Sequence, residues 1–331
     1  MILFLLLGPL CVAADGSQYR FDYSYQERAG GWFKVHEVPA TWVEARERCD
    51  LEGAVLASPI NVNVTSVLTE LMKEAGLDLE CGVFTGTNAR YSKGDYYSIE
   101  GVPLLRMPVK WMPSKPDNYK KEEECIVMVG NGSIADANCS AALPYICYKK
   151  AGSIIPLNEC GTTDNGYKLF PKTGNCYKFH TQPRNWSSAF MACSAEGGYL
   201  AIPNDRDEAM HLSKMFKENL KNLANTTYND VFLLGFTDIK KNGTWFTIHG
   251  SRLEDNYADW KIRHPEPTPG IRTCGAMYQN GQLNDFTCNA SATFVCEKAV
   301  DSLLYNTNLK TRSLPNEVYI HISRTTITRH N

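Results

Sequence analysis

The sequence predicts two tandem domains that each combine α-helices with short β-strands and long loops. The chain has 331 residues, which suggests two domains at roughly 150 residues each. Hydrophobic residues make up 43% and charged residues 21% of the chain. These values are typical of globular proteins and exclude a mostly disordered chain. In addition, one pattern of tryptophan and cysteine spacing occurs twice.

The internal repeat is recognisable at both of its ends. Near the start of each copy a tryptophan precedes a cysteine by 7 residues, as Trp42 precedes Cys49 and Trp186 precedes Cys193. Near the end, one tryptophan and three cysteines follow at intervals of 14, 14 and 8 residues. These residues are Trp111, Cys125, Cys139 and Cys147, and then Trp260, Cys274, Cys288 and Cys296. Two copies about 145 residues apart indicate tandem domains and not a solenoid.

Each copy is predicted to begin with a helix. Thr41 and Glu44 have the spacing of a capping box, in which the threonine side chain accepts from an amide and the glutamate reaches back to the N-cap. Trp42, Ala45 and Cys49 then fall on one helical face. The second copy repeats this pattern with the N-cap residue and the face residues Asn185, Trp186, Ala189 and Cys193.

A second helix is predicted downstream in each copy. In the first copy it ends near Gly76 and its apolar residues are Leu68, Leu71, Met72 and Ala75. In the second copy Asp205 opens a run whose apolar residues are Ala209, Leu212 and Phe216. The remaining sequence is rich in Gly, Pro, Asn and Tyr, which indicates short strands and long loops, with 231–236 as one buried strand.

The amino terminus is typical of a secreted protein. Residues 1–14 are apolar and end in small residues, so we interpret them as a cleaved signal peptide. About a dozen apolar residues are too few to span a bilayer, which needs roughly 20; the alternative interpretation is a buried N-terminal strand. No later stretch of the sequence is apolar for long enough to anchor the chain in a membrane. We therefore expect secretion, with no membrane span.

Cysteine and asparagine usage agrees with secretion. Of the 12 cysteines, Cys11 belongs to the signal peptide, which leaves an odd number where secreted cysteines are normally paired. A glycoprotein is also predicted, because the sequence contains Asn-x-Ser/Thr sequons. They lie at Asn63, Asn131, Asn138, Asn185, Asn225, Asn242 and Asn289.

Charge and motif content exclude two classes of function. The net charge is only −2, whereas general nucleic-acid binding needs a basic surface. The sequence contains no His-Glu-x-x-His, no Gly-x-Ser-x-Gly and no phosphate-binding loop. We therefore expect a binding protein and not an enzyme.

The repeated residues resemble the C-type lectin domain, present twice. They are the helix Trp and Cys, the Leu-Ala pairs at 56–57 and 200–201, the segment 234–238, and the terminal order of Trp, Cys, Asp-x-x-Cys and Cys. The resemblance covers 30–150 and 157–299. A secreted tandem of two such domains is similar to the insect immulectins, which are haemolymph pattern-recognition lectins. On this division 151–156 is a short linker and 300–331 is a polar tail.

The resemblance implies the fold and the disulfides. Each domain is expected to be α+β, with two helices, two small antiparallel sheets and a long loop region. One disulfide is expected to join the two ends of each domain and another to tie the long loop, while the second domain has the extra pair of the long form. The implied pairs are Cys49–Cys147, Cys125–Cys139, Cys160–Cys176, Cys193–Cys296 and Cys274–Cys288. Cys81 is left over, either as a buried free thiol or as part of an intermolecular disulfide.

The resemblance also implies a sugar site built around one calcium ion in the long loop. Calcium takes about six to eight oxygen ligands. In this family they come from a Glu-Pro-Asn or Gln-Pro-Asp triplet, a Glu two residues before the next Cys, and a Trp-Asn-Asp triplet. The first domain keeps carboxylates at three of these positions, Asp117, Glu123 and Asp136, but has Lys115 and Ala135 at two others. Either the carboxylates attract calcium or the lysine, which has only donors, occupies the metal's place.

The second domain departs from the family pattern differently. Glu266, Asn284 and Asp285 keep ligand oxygens, while His264 opens the triplet and Arg272 replaces the Glu before the Cys. A guanidinium opposes a nearby cation. If calcium binds at all, the first domain is predicted to bind it more tightly, because it has more carboxylates. A triplet shifted to 266–268 is disfavoured, since the proline-to-cysteine interval is 9 residues in both domains only without the shift.

These departures favour an anionic ligand. Lys115, Arg272 and, below neutral pH, His264 could bind phosphates or acidic sugars, both of which lipopolysaccharide carries. Tyr119 and Tyr278 are candidate stacking faces for a sugar ring. We therefore expect a pattern-recognition lectin for microbial surface glycans, in which two sites provide avidity. The alternative is a scaffold that has lost sugar binding and binds protein partners, such as blood-cell surface or protease-cascade proteins.

Overall fold

The computed structural model describes residues 19–77, 81–91, 94–152, 157–223, 227–266 and 272–304. Several sequence predictions lie outside the described residues. They are the signal peptide, the sequon at Asn225, residues 267–268 of the shifted triplet, most of the linker and the tail beyond residue 304. The described residues form two domains with closely similar orders of elements.

The first domain contains two α-helices and eight strands among its described residues. The helices are α1 (Trp42–Leu51) and α2 (Val62–Glu74). The strands are β1 (Ser24–Gln26), β2 (Gly31–Ala40), β3 (Val55–Leu56), β4 (Val83–Asn88), β5 (Tyr97–Ser98), β6 (Cys125–Met128), β7 (Ile134–Ala137) and β8 (Leu143–Lys150). Short 3-10 helices lie at Glu27–Ala29, Leu104–Arg106 and Tyr119–Lys121.

The second domain repeats this layout in its described residues. The helices are α3 (Trp186–Ala195) and α4 (Arg206–Asn219). The strands are β9 (Lys168–Phe170), β10 (Asn175–Arg184), β11 (Tyr199–Leu200), β12 (Val231–Thr237), β13 (Phe246–Thr247), β14 (Cys274–Tyr278), β15 (Leu283–Phe286) and β16 (Ala292–Ala299). Short 3-10 helices lie at Leu220–Asn222 and Leu253–Asp255.

The predicted helices are confirmed, together with their caps. The backbone amide of Thr41 donates to Glu44 at 3.0 Å, which forms the capping box at the start of α1. Asn185 Oδ1 accepts from the Ser188 amide at 2.8 Å at the start of α3. Side-chain caps satisfy amides that would otherwise have no intrahelical partner. Local sequence therefore fixes where both helices begin.

The strands of each domain form two antiparallel groups that one parallel pairing connects. In the first domain β1, β2, β3 and β8 make one antiparallel group, and β4, β5, β6 and β7 make the other. Strands β4 and β8 join the groups through a parallel contact between Phe84 and Tyr145. Strands β12 and β16 do the same in the second domain. The predicted α+β fold is confirmed, with the two small sheets fused at this seam.

The repeated tryptophans position the helices on these sheets. Trp42 is fully buried, and its Nε1 donates to the Thr85 carbonyl of β4 at 2.8 Å. Trp186 makes the equivalent bond to the Leu234 carbonyl of β12 at 2.9 Å. The next residue of β12 is Gly235, which lies close to the chain that follows α3. A Cβ at this position would collide with the Leu200 carbonyl oxygen, so a glycine is needed there.

The two domains contain five disulfides, each within one domain, and they are the pairs that the resemblance implies. They are Cys49–Cys147, Cys125–Cys139, Cys160–Cys176, Cys193–Cys296 and Cys274–Cys288. Cys81 lies outside these five pairs and is exposed. Of the two alternatives for Cys81, the buried thiol is therefore wrong, because Cys81 lies after α2 at the surface and not in the core.

The two domains contact each other through α1, α3 and the segments that flank them. Arg184 and Glu47 form an ion pair of 2.5 Å across the boundary. Leu51 at the end of α1 packs against the core of the second domain. The amide of Phe21 donates to the Leu303 carbonyl at 3.1 Å. None of the helices in the described part of the chain combines the length and apolar character that crossing a membrane requires.

Candidate functional site

The candidate ligand residues of the first domain converge where the long loop meets the sheet. Lys115 and Asp117 lie in the loop and flank a proline whose preceding peptide bond is cis. Glu123 stands just before β6, and Asp136 lies on the paired strand β7. One oxygen from each of the three carboxylates lies within 4.8 Å of the others. The structure therefore brings these four predicted residues together.

Lys115 lies among the three carboxylates. Its Nζ is 2.5 Å from Asp117 Oδ1, 3.1 Å from Glu123 Oε2 and 3.3 Å from Asp136 Oδ1. Burial works to lower the pKa of Lys115, but hydrogen bonds to the three carboxylates outweigh it and raise the pKa above its usual value. The hydrogen bond from Lys115 lowers the pKa of Asp117. Lys115 is thus charged at neutral pH, and its ammonium contacts all three carboxylates.

Backbone amides of the loop bind the same carboxylates. The amide of Asn118 donates to Asp136 Oδ2 at 2.7 Å, and that of Tyr119 donates to Glu123 Oε2 at 3.1 Å. Asn118 Oδ1 in turn accepts from the Glu123 amide at 3.3 Å. Sequence reasoning missed Asn118, although an Asn after Pro-Asp is a turn signal. Its φ of 45° is left-handed, a conformation that asparagine tolerates better than most residues.

The second domain divides its predicted site residues into two pairs. His264 Nδ1 lies 2.5 Å from Asp285 Oδ1, and Arg272 Nη1 lies 2.7 Å from Glu266 Oε1. The Glu266 amide donates to Asp285 Oδ2 at 3.1 Å, which ties the loop to β15. The peptide bond between His264 and its following proline is cis, as in the first domain. Among the described residues of this site, each acid pairs with a different cationic or imidazole side chain, whereas Lys115 contacts all three acids of the first domain.

Asn284 differs from its neighbours because its side-chain oxygen is unsatisfied. The residue is 4% exposed, and Oδ1 has no hydrogen-bond partner among the described residues. Buried amide oxygens normally accept a hydrogen bond or bind a cation. The first domain has Ala135 at this position and offers no such oxygen. The second domain therefore retains an acceptor that the first has lost.

Calcium, the ion that the resemblance implies, fits the two sites differently. In the first domain the Lys115 ammonium stands among the oxygens, and a cation placed there would meet a like charge. In the second domain the oxygens of Asn284, Asp285 and Glu266 would hold the ion, and one of them is unsatisfied. The residues of the second domain fit calcium better, although Glu266 and Asp285 are already paired.

The two candidate stacking tyrosines have different surroundings. Tyr119 is 62% exposed at the tip of the first loop, and the Lys120 ammonium lies 5.2 Å from its ring centroid. The Lys261 ammonium lies only 3.8 Å from the centroid of Tyr278 and covers one face of that ring. Tyr119 is therefore the more accessible of the two candidate faces.

A second repeated cluster lies away from the long loops and was not predicted. Glu52 is buried at the end of α1 and binds Lys34 at 2.9 Å, His36 at 3.2 Å and Tyr23 at 2.6 Å. The same three residue types surround Glu196 in the second domain, where the partners are Lys178, His180 and Tyr167. Every member is 144 positions from its counterpart. That constant offset is the signal that could have revealed the cluster.

Neither of these clusters offers a cysteine thiolate to a metal ion. A cysteine sulfur approaches each His–Glu pair, from Cys147 in the first domain and Cys296 in the second. Both sulfurs belong to disulfides and so lack the thiolate that binds metals. Burial tends to raise the pKa of Glu52, but the hydrogen bond from His36 and nearby positive charges hold it below its usual value.

Comparison with protein-family models decides the classification. The model of the lectin C-type domain matches residues 38–149 and 182–298, together more than half of the chain. The chain belongs to the C-type lectin domain family. Proteins of this family are binding proteins, which agrees with the missing catalytic motifs. Lys115 and Arg272 therefore lie inside the two matched lectin domains.

Relatives of the two lectin domains include an insect protein and a mammalian receptor. A hemolymph lipopolysaccharide-binding protein of Periplaneta americana is 37% identical over 134 residues, which are 40% of this chain and 52% of the relative. A C-type mannose receptor 2 of Mus musculus is 26% identical over 271 residues, 78% of this chain and 17% of the receptor. The chain thus spans about half or less of the length of these relatives.

One solved structure similar to the chain is the carbohydrate-recognition domain of the mouse scavenger receptor C-type lectin. It is 26% identical and has a TM-score of 0.34. The match covers 41% of this chain and 97% of that domain.

Proposed function

We propose that this protein is a secreted lectin that recognises microbial surface glycans, with lipopolysaccharide as the representative ligand. The observation that carries the proposal is the partly exposed guanidinium of Arg272 in the second site, at a position where the family supplies a calcium ligand. The similarity to a protein named as a hemolymph lipopolysaccharide-binding protein supports the same class of ligand. Five disulfides support secretion, because disulfides persist in oxidising compartments.

Arg272 leaves part of its guanidinium accessible to an anionic ligand. Its side chain is 40% exposed, and the contact to Glu266 uses one of its nitrogen atoms. A guanidinium has five N–H donors and binds phosphate through a bidentate fork. Lys115 in the first domain is different, since its ammonium is surrounded by three carboxylates. We therefore assign anion binding mainly to the second domain.

The first domain offers a different surface next to its loop. Tyr119 exposes its ring, and Lys120 and Lys121 follow it in a 3-10 turn. An aromatic face next to ammonium groups suits a sugar ring that carries phosphate or carboxylate. Contacts between the two domains hold both loops on one body. Two weak sites on one body give avidity for a repetitive surface.

Binding to immobilised lipopolysaccharide and to a glycan array, each with calcium and with chelator, tests the proposal. We expect lipopolysaccharide binding to survive chelation in part and to fall as salt rises, because exposed charge pairs are screened over about 8–10 Å. A protein that binds no glycan in either condition would contradict the proposal. That result would favour the alternative, a protein-binding scaffold, which the incomplete calcium ligand sets also permit.

A further inference from the structure

Lys115 has the contacts of a bound cation. Its ammonium lies within 3.3 Å of an oxygen from each of Asp117, Glu123 and Asp136. The number of its N–H donors equals the number of these acceptors. Three carboxylates whose oxygens lie within 4.8 Å of one another repel each other unless a positive charge stands between them. Lys115 provides that positive charge as a side chain of the loop itself.

The same carboxylates hold the long loop against the sheet. Asp136 on β7 is 2% exposed and accepts from the Asn118 amide, while Glu123 accepts from the Tyr119 amide. These bonds hold two acidic side chains close together at fixed positions, and grouping acids in this way costs free energy without a nearby cation. The loop and the cation are therefore parts of one arrangement, and removal of the positive charge should loosen the loop.

We infer that Lys115 serves as the built-in cation of the first domain, so that this domain holds its long loop closed without calcium. The prediction of tighter calcium binding in the first domain, which weighed its three carboxylates against the opposing Arg272 of the second domain, is then reversed. The second domain has no equivalent arrangement among its described residues, because its two acids pair with separate partners and the Asn284 oxygen is unsatisfied. The inference concerns the loop and does not depend on which glycan the protein binds.

The test uses the full chain and two substitutions. Lys115→Met removes the charge at similar length, and Lys115→Glu restores an acidic side chain at a family ligand position. Calcium binding is measured by titration calorimetry, and thermal unfolding is followed in calcium and in chelator. We expect Lys115→Glu to bind one more calcium ion per chain than the unchanged protein. In chelator, both variants should have a lower Tm than the unchanged protein. Calcium should raise the Tm of each variant by more than it raises the Tm of the unchanged protein.

Two further variants guard against misinterpretation. Lys110→Glu makes the same change of charge at an exposed residue of the first domain whose side chain does not contact the three carboxylates, and it should leave calcium stoichiometry unchanged. Asp117→Asn removes an exposed carboxylate of the cluster without requiring the core to rearrange. If Asp117→Asn lowers the number of calcium ions bound by the otherwise unchanged protein, the first domain does bind calcium and the inference is overturned. The same holds if Lys115→Glu gains no calcium ion.

Discussion

Arg20 Nη1 donates a 2.8 Å hydrogen bond to the carbonyl oxygen of Ala195, and this bond joins the first lectin domain to the second. The same guanidinium forms a bidentate pair with Asp22 through bonds of 2.9 Å and 3.1 Å. The Arg20 side chain is only 6% exposed. Because Ala195 ends α3, the bond also gives a positive charge to the carbonyl end of that helix, where cations are favoured. Arg20 thus contacts both domains, through the Ala195 carbonyl in the second and, at 3.5 Å, the Glu52 carbonyl in the first.

Replacement of Arg20 tests this connection. Arg20→Ala should lower the free energy of unfolding by about 1.5–3 kcal/mol, the value of a hydrogen-bonded charged group. It should also increase the radius of gyration in solution scattering, because a bond between the domains is lost. The control is Arg28→Ala, since Arg28 also pairs with an acid, Glu70, but its side chain is 53% exposed. An unchanged radius of gyration together with full stability would show that the interface does not depend on Arg20.

Sequence reasoning predicted what local residues and the repeat specify. Thr41 and Asn185 predict where α1 and α3 begin, because an N-cap side chain bonds to an amide only a few residues away in the sequence. The carboxylates near Lys115 were predicted to share a site, but whether calcium or the lysine neutralises them was left open, since the answer depends on where the ammonium points. The Arg20–Ala195 bond could not be predicted, because it depends on how one domain docks on the other. Exposure of Cys81 likewise depends on tertiary packing.

Glu52 should be the most sensitive acid of the first domain. It is buried and contacts Lys34, His36, Tyr23 and Arg48. Removal of one partner from a buried charge network costs about 3–5 kcal/mol. We therefore expect Glu52→Ala to lose this much free energy of unfolding at neutral pH, measured by chemical denaturation. The control Glu70→Ala breaks an exposed pair and should change stability by less than about 1 kcal/mol.

The loss on replacing Glu52 should depend on pH. The pKa of Glu52 in the folded protein lies below the ordinary value of 4.5. A lowered carboxyl pKa contributes stability that is present above 4.5 and disappears as the pH falls through the folded-state pKa. The difference between Glu52→Gln and the unchanged protein should therefore shrink in acid. A difference that stays constant from neutral pH into acid would contradict the assigned cause.

Glu297 is expected to show the opposite dependence on pH. It is fully buried on β16, and burial together with the charge of Glu208 raises its pKa from 4.5 to about 7. A raised carboxyl pKa contributes stability below 4.5 that is lost as the pH rises through about 7. Glu297→Gln removes the charge and keeps an oxygen that accepts from Tyr199 or the Ile202 amide. Denaturation of both proteins across this pH range measures the effect.

We expect Glu297→Gln to be more stable than the unchanged protein at pH 8 by about 3 kcal/mol, an order-of-magnitude conversion of the pKa shift. The gain should vanish near pH 4, where the carboxyl group of the unchanged protein is neutral. Glu218→Gln, an exposed position on α4, controls for the general effect of removing a negative charge. Equal gains at both pH values would mean that Glu297 is not the titrating group.

Arg272 provides the most direct test of anion recognition. Its guanidinium binds Glu266 at 2.7 Å and is 40% exposed, so a ligand phosphate can compete with or join that contact. Arg272→Glu should weaken lipopolysaccharide binding measured in chelator by roughly 10- to 100-fold, as expected for loss of a charge-assisted hydrogen bond. Arg272→Lys keeps the charge but loses the bidentate fork, so its affinity for lipopolysaccharide should lie between those of Arg272→Glu and the unchanged protein. Arg252→Glu changes the net charge equally at another exposed position of the second domain and should bind nearly as well as the unchanged protein.

The effect of Arg272→Glu should also diminish as salt rises, because the lost interaction is electrostatic. If Arg272→Glu binds lipopolysaccharide as tightly as Arg252→Glu at low salt, the long loop of the second domain is not the contact surface, and the ligand must bind elsewhere on the two domains.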